Sequence, residues 1–301
     1  MEKIFNQLSE SLFSELNSGE NLILSFDGEK SQFIRFNHAK VSLPGGCAWG
    51  PRPVDFHIKA FRKMGAKISL DKGYIIADGE LIGTTIDFKI SSVGATGNVL
   101  MGCINLDQEV IINNAAREPE IVGLCNFLVK IGVCIDGIGT STLKIKGISK
   151  SNNKMKKISY GIISDRIEAG TFLMAAVITK SKITLNNIIP NHLESAINKL
   201  KDIGANIIIH SNRSLTINCD KNIKSTNIKT DVYPGFPTDL QPQWISLMTV
   251  SNGICKVEDT VYFDRFSHVP ELIRMGADIV LDKNIATIKG VKSLRGTNVM
   301  A

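Results

Sequence analysis

The chain has 301 residues, enough to bury a sizeable core and, at that length, to divide into two domains. Its apolar fraction of 43% is ordinary for a folded protein, no run approaches the roughly 18 apolar residues of a membrane helix, and Met1 to Phe13 lacks a signal-peptide core. A cytoplasmic protein with no membrane partner is therefore expected. The formal charge of +6 is dispersed. The densest basic stretch, Lys144, Lys146, Lys150, Lys154, Lys156 and Lys157, has no interleaved aromatics on which bases could stack, which argues against nucleic acid and leaves an anionic small molecule as the simpler partner.

In chain order, Phe5 to Leu16 reads as a short amphipathic helix, Asn21 to Phe26 as a strand, Asp27-Gly28-Glu29-Lys30 as a turn and Phe33 to Phe36 as a second strand. Next comes Ser42-Leu43-Pro44-Gly45-Gly46-Cys47, where proline and two glycines predict a mobile loop carrying a thiol. The other five cysteines, Cys103, Cys125, Cys134, Cys219 and Cys255, sit in periodic apolar surroundings and read as core. No pair has zinc spacing, so neither a metal nor a cofactor is expected.

Beyond Cys47 one pattern recurs: an apolar helix, a basic residue, a glycine, a small residue and an alternating strand. It occurs at Phe61 to Ile68, Phe127 to Ile135, Ile197 to Ile207 and Leu272 to Ile279, with glycines Gly65, Gly132, Gly204 and Gly276 spaced 67, 72 and 72 residues apart. Each glycine has the position of a left-handed helix stop. A second apolar helix precedes each of the later copies, at Val93 to Ile104, Arg166 to Ile178 and Thr238 to Val250, followed by strands such as Val110-Ile111-Ile112 and Ile183-Thr184-Leu185. The predicted unit is helix, strand, helix, strand, strand, and copies of it must share a core.

Seven strings along the chain carry a family resemblance: Leu43-Pro44-Gly45-Gly46-Cys47, Arg52-Pro53-Val54-Asp55, Ser92-Val93-Gly94-Ala95-Thr96, Asn114 to Glu120, Asp165 to Phe172, Pro234 to Gln241, and Arg265-Phe266-Ser267-His268-Val269. From Val41 to the end the sequence resembles the UDP-N-acetylglucosamine 1-carboxyvinyltransferases, enolpyruvyl transferases that open peptidoglycan synthesis. The resemblance implies an α/β fold of two inside-out barrels built from repeated units, with helices inside and sheets outside, here incomplete. It divides the chain into a foreign segment at 1–41, a catalytic-loop domain at 42–163 and a second repeat domain at 164–301, with a hinge near Ile163.

The resemblance also implies a transfer of the enolpyruvyl group of phosphoenolpyruvate to the 3-hydroxyl of UDP-N-acetylglucosamine, with both as small-molecule partners. Such chemistry needs a proton donor to the methylene carbon, a base for the attacking hydroxyl and cations for phosphate and carboxylate. Cys47 matches the family's acid, Asp239 the group that takes the hydroxyl proton, and Arg52 a phosphate-gripping guanidinium. Asp239 also stands at a helix start, where a carboxylate is often only a cap. Arg52, Pro53, Val54, Asp55 and Phe56 are expected to line the UDP-sugar pocket, Ser92, Val93 and Gly94 to open a helix toward the diphosphate, and Val261 to contact the sugar. Arg265 matches a residue near the closing interface. Phe56 replaces an aliphatic residue and Phe263 an acidic one.

Phe26 to Asn37 resembles instead the opening of the TldD/PmbA family, although no HExxxH site follows. Family residues that hold phosphoenolpyruvate would precede the matching region or follow Ala301, and Ile23 falls where a substrate arginine belongs. These departures suggest, as a second reading, an inactive remnant that at most binds UDP-sugar, and self-association through uncovered barrel edges.

Overall fold

A computed structural model describes residues 37–42, 54–148 and 158–300. They divide between two compact units, one ending at Ile163 and one beginning at Ser164. The expected helix and strands before residue 37, and the Cys47 loop, lie outside the described residues.

In the first unit the chain runs β1 (His38–Ser42), α1 (Asp55–Lys63), β2 (Lys67–Asp71), β3 (Tyr74–Asp78), β4 (Thr85–Asp87), α2 (Val93–Gly102), β5 (Val110–Asn113), α3 (Pro119–Ile131), β6 (Cys134–Asp136) and β7 (Thr142–Lys146). The second unit continues with α4 (Arg166–Ile178), β8 (Lys182–Asn186), a 3-10 turn (Pro190–Leu193), α5 (Glu194–Asp202), β9 (Asn206–Ser211), β10 (Ser214–Asn218) and β11 (Ile228–Lys229). A second 3-10 turn (Thr238–Leu240), α6 (Gln241–Met248), β12 (Ile254–Glu258), α7 (Val269–Arg274), β13 (Asp278–Asp282) and β14 (Ile285–Lys289) complete it.

One motif builds all four sheets. A lead strand (β1, β5, β8 or β12) is followed by a helix and a hairpin, and the hairpin's second strand inserts antiparallel between the lead strand and the hairpin's first strand. The orders are β1–β3–β2, β4–β5–β7–β6, β8–β10–β9 and β11–β12–β14–β13. The anticipated unit is thus present as α2-β5-α3-β6-β7, α4-β8-α5-β9-β10 and α6-β12-α7-β13-β14. The repeat did not announce β4 and β11, short strands that pair parallel with β5 and β12 and make the second and fourth sheets four-stranded. The boundary expected between residues 41 and 42 falls inside β1, whose five residues all pair with β3.

The glycines of the pattern end their helices in one way. Gly65, Gly132, Gly204 and Gly276 have φ of 100°, 112°, 108° and 95°, a region that costs little only without a Cβ. At each, the glycine N–H bonds the carbonyl three residues back, and the next N–H reaches five back: Ala66 to Phe61, Val133 to Leu128, Ala205 to Leu200 and Ala277 to Leu272, all at 3.0 Å. All eight of these flanking residues are buried, so each stop is a Schellman motif closed over its own apolar contact.

Helix character follows the layer. The α2 sequence, VGATGNVLMG, has no charge and is buried nearly all round, and α4 likewise sinks Ala169, Gly170, Leu173, Met174, Ala176 and Val177 into its unit's core. By contrast α1 and α5 keep Lys59, Lys63, Lys199 and Lys201 on an outer face. In the first unit α2 packs against α1 and α3, and in the second α4 packs against α6, with sheets around them. No described helix is long and apolar enough to cross a membrane.

One assignment from sequence is corrected here. Cys103, Cys125, Cys219 and Cys255 are buried as expected, but Cys134 is exposed. It begins the edge strand β6, where alternation turns Val133 into the core and Cys134 outward. Burial pushes the Cys255 thiol up to about 11 and that of Cys125 to about 12, with Cys103 moved in the same direction.

Candidate functional site

The expected site residues fall on both units, and each group is built locally. Cys47, Arg52 and Pro53 lie outside the described residues. In the first unit Val54 takes the N-cap position of α1, without a side-chain cap bond. Asp55 in the first turn accepts from Lys59 Nζ at 2.8 Å, and that bond is the main reason its carboxyl sits below the usual range. Phe56 packs on the core, its ring edge-on to Phe88 with centroids 6.3 Å apart.

Ser92 caps α2, its Oγ accepting the Ala95 N–H at 3.3 Å while its carbonyl takes the Thr96 N–H at 2.9 Å. The open end of the helix therefore offers an anion the N–H groups of Val93 and Gly94. Burial of Thr96 has its own reason, since Thr96 Oγ1 accepts the Ala116 N–H at 3.1 Å and ties α2 to the Asn114–Glu120 string.

The two helix starts meet through His57, which had not been expected at the site. Its Nδ1 lies 2.6 Å from Asn98 Nδ2, and a Cβ on Gly94 would come within 3.2 Å of its ring. Val54–Phe56 and Ser92–Gly94 are thereby brought side by side. The sequence held one signal for this contact: Asn98 is a lone amide in an otherwise apolar helix.

In the second unit Asp239 sits in the 3-10 turn ahead of α6, and no side-chain cap bond forms at either helix start there. Its carboxylate instead accepts from Arg265 Nη1 at 2.7 Å. The Arg265 side chain is 17% exposed and that of Asp239 45%, so the pair lies at the rim of the unit with its cation inward. Arg265 Nη1 is also 3.4 Å from Thr238 Oγ1, and the guanidinium lies 5.8 Å from the Tyr262 ring centroid. Val261 is exposed in the same loop, as is Phe263.

Gly170 in α4 lets the helix approach so closely that a Cβ there would come 2.6 Å from Leu240 Cδ1. Below Arg265, the half-buried His268 stacks on Phe266, and burial followed by the Arg265 charge pulls its pKa down to about 4. Among the described residues no group of three or more His, Cys, Asp or Glu could hold a metal ion.

A family model for EPSP synthase (3-phosphoshikimate 1-carboxyvinyltransferase) matches residues 31–301. The chain belongs to this family of enolpyruvyl transferases. Curated relatives carry the name UDP-N-acetylglucosamine 1-carboxyvinyltransferase: that of Chloroherpeton thalassium is 50% identical over 270 residues, and that of Campylobacter hominis 48% over 268. These matches take in 89% of this chain but 62% and 63% of the relatives' own lengths. Among solved structures, the enolpyruvyl transferase NikO from Streptomyces tendae superimposes with a TM-score of 0.74 at 19% identity, covering 86% of this chain and 61% of that one. EPSP synthase from Acinetobacter baumannii gives 0.59 at 20%, covering 84% and 60%. At such identities the likeness speaks for the fold alone, and it is the enolpyruvyl transferase fold.

Proposed function

We propose that the chain contributes to the transfer of the enolpyruvyl group of phosphoenolpyruvate onto the 3-hydroxyl of UDP-N-acetylglucosamine, in the cytoplasm, as the first committed step of peptidoglycan synthesis. The observation that carries this reading is the identity of about half over 89% of the chain to relatives with that name.

The reaction joins the sugar oxygen to C2 of phosphoenolpyruvate while C3 gains a proton, and phosphate leaves as the C3 proton is lost again. Asp239 is the base for the attacking hydroxyl: its carboxylate is nearly half exposed, and the Arg265 contact fixes one oxygen and leaves the other to receive a proton. Cys47 supplies the proton to C3 from its Pro-Gly-Gly loop. Arg52 holds phosphate oxygens, while Pro53, Val54, Asp55 and Phe56, with Ser92, Val93, Gly94 and Val261, hold the nucleotide sugar. The pairing of the α1 and α2 starts through His57 supports the grouping of the first-unit residues. Asp239's bond to Arg265 in place of a helix cap supports a chemical role over a folding one.

Phosphate release from phosphoenolpyruvate, dependent on UDP-N-acetylglucosamine and abolished in Cys47→Ala, is the expected result. Release that ignores the nucleotide sugar, or that survives the substitution, refutes the reading.

A further inference from the structure

Asp259, which follows β12, is fully buried, and so is Thr230 beside it. An aspartate at the end of a strand ordinarily reaches water, and burying one demands partners for both oxygens. Oδ1 accepts from Thr230 Oγ1 at 2.8 Å, from the Val261 N–H at 3.0 Å and from the Tyr262 N–H at 2.8 Å. Oδ2 accepts from Thr238 Oγ1 at 2.7 Å. All four contacts are donations to the carboxyl. The Thr230 hydroxyl has its proton free to give, since its oxygen already accepts the Thr260 N–H at 3.0 Å. The main chain of Asp259 is fixed as well, exchanging two 2.9 Å bonds with Asn284.

These contacts converge on Asp239 and Arg265 from two sides. Thr238, held by Oδ2, is the residue before Asp239. Tyr262, held by Oδ1, accepts the Arg265 N–H through its carbonyl at 3.2 Å and so fixes the backbone from which the guanidinium extends. Thr238 Oγ1 closes the circuit by lying 3.4 Å from Arg265 Nη1 while donating to Asp259. The carboxylate thus clamps the 3-10 turn and the 261–265 loop to each other, and an amide in its place would present an NH2 to at least one of these four donors.

We propose that Asp259 is a positioning residue for the reaction, acting through Thr238 and the 261–265 loop to hold Arg265 against Asp239. The catalytic part of this inference rests on the reading of Asp239 as the base. The geometric part stands without it.

The test uses the full chain. Guanidinium 15N–1H spectra, with the Arg265 signal assigned from Arg265→Lys, are compared for the parent, Asp259→Asn, Thr238→Val and Thr238→Ser, alongside calorimetric titration with UDP-N-acetylglucosamine. In the parent the Arg265 Nη signals are resolved by slow rotation. Asp259→Asn and Thr238→Val collapse them and weaken nucleotide-sugar binding on the order of tenfold, whereas Thr238→Ser, which keeps the hydroxyl, restores both. A resolved signal that persists in folded Asp259→Asn or in Thr238→Val overturns the proposal. Should Asp259→Asn fail to fold, Thr230→Val, which removes a donor to Oδ1 without touching Arg265, takes its place, and a resolved signal that persists in it overturns the proposal. A parent chain that binds no UDP-N-acetylglucosamine refutes the functional reading, and the guanidinium signal still judges the positioning.

Discussion

Ser92 and Asp239 both lie between a parallel strand, β4 in one four-stranded repeat and β11 in the other, and the helix that follows, Ser92 as the N-cap of α2 and Asp239 inside the 3-10 turn before α6. Ser92 uses its side chain on the helix itself, capping the Ala95 N–H. Asp239 makes no cap bond to α6, whose N-cap is Leu240, and faces Arg265. The segment ahead of the helix thus serves stability in one repeat and leaves a charged group available in the other. The capping work in the second case passes to a tighter 3-10 turn, packed on Gly170 and tied down through Thr238.

The sharpest way to break this contrast is Asp239→Asn. It is expected to lower phosphate release by about a hundredfold or more while changing unfolding free energy by no more than about 1 kcal/mol. Kinetics beside urea unfolding check it, and a variant that unfolds early at an unchanged rate would move Asp239 to the folding side.

One helix further on, Glu118 precedes α3 and His268 precedes α7. With the folded pKa of His268 near 4 against about 6.5 unfolded, the unfolded chain binds more protons between those values. Stability from neutral His268 is complete above about pH 6.5 and is lost as pH falls toward 4, by up to about 3 kcal/mol. Urea midpoints at pH 7 and pH 4.5 should differ less in His268→Phe than in the parent, and equal differences would reject the assignment.

Gly170→Ala puts a methyl into Leu240 and should cost about 1–3 kcal/mol, with a further fall in phosphate release because Asp239 adjoins Leu240. Loss of stability without loss of rate would show that the turn's position is not critical. Ser92→Ala should cost about 1 kcal/mol, the ordinary value of a cap, measured in the same unfolding experiment.

The repeat glycines were legible because a helix stop is a local event: glycine, a small residue after it and an apolar residue before it suffice. The residues expected at the first-unit site were likewise drawn from strings of sequence neighbours. The bond between Asp239 and Arg265 spans 26 residues and could not be seen locally, where an aspartate at a helix start looks like a cap. Asp259 was hidden by the general rule that carboxylates lie outside, and its burial is specific to the donors that three separate segments bring to it. Cys134 was misjudged because an apolar neighbourhood in sequence does not say which face of an edge strand a residue takes.

The four Schellman stops also set where the chain can change length. Each fixes the residue at which helix becomes strand, and in a strand a slip of one residue would turn the buried set outward. An inserted residue upstream of Gly65, Gly132, Gly204 or Gly276 therefore cannot be passed along into the sheet. Insertions should instead be absorbed at hairpin tips such as Lys72-Gly73 and Asn212-Arg213, which lie between paired strands. Length variation among homologous chains should accordingly collect at those tips, leaving the spacing from helix to glycine to strand constant.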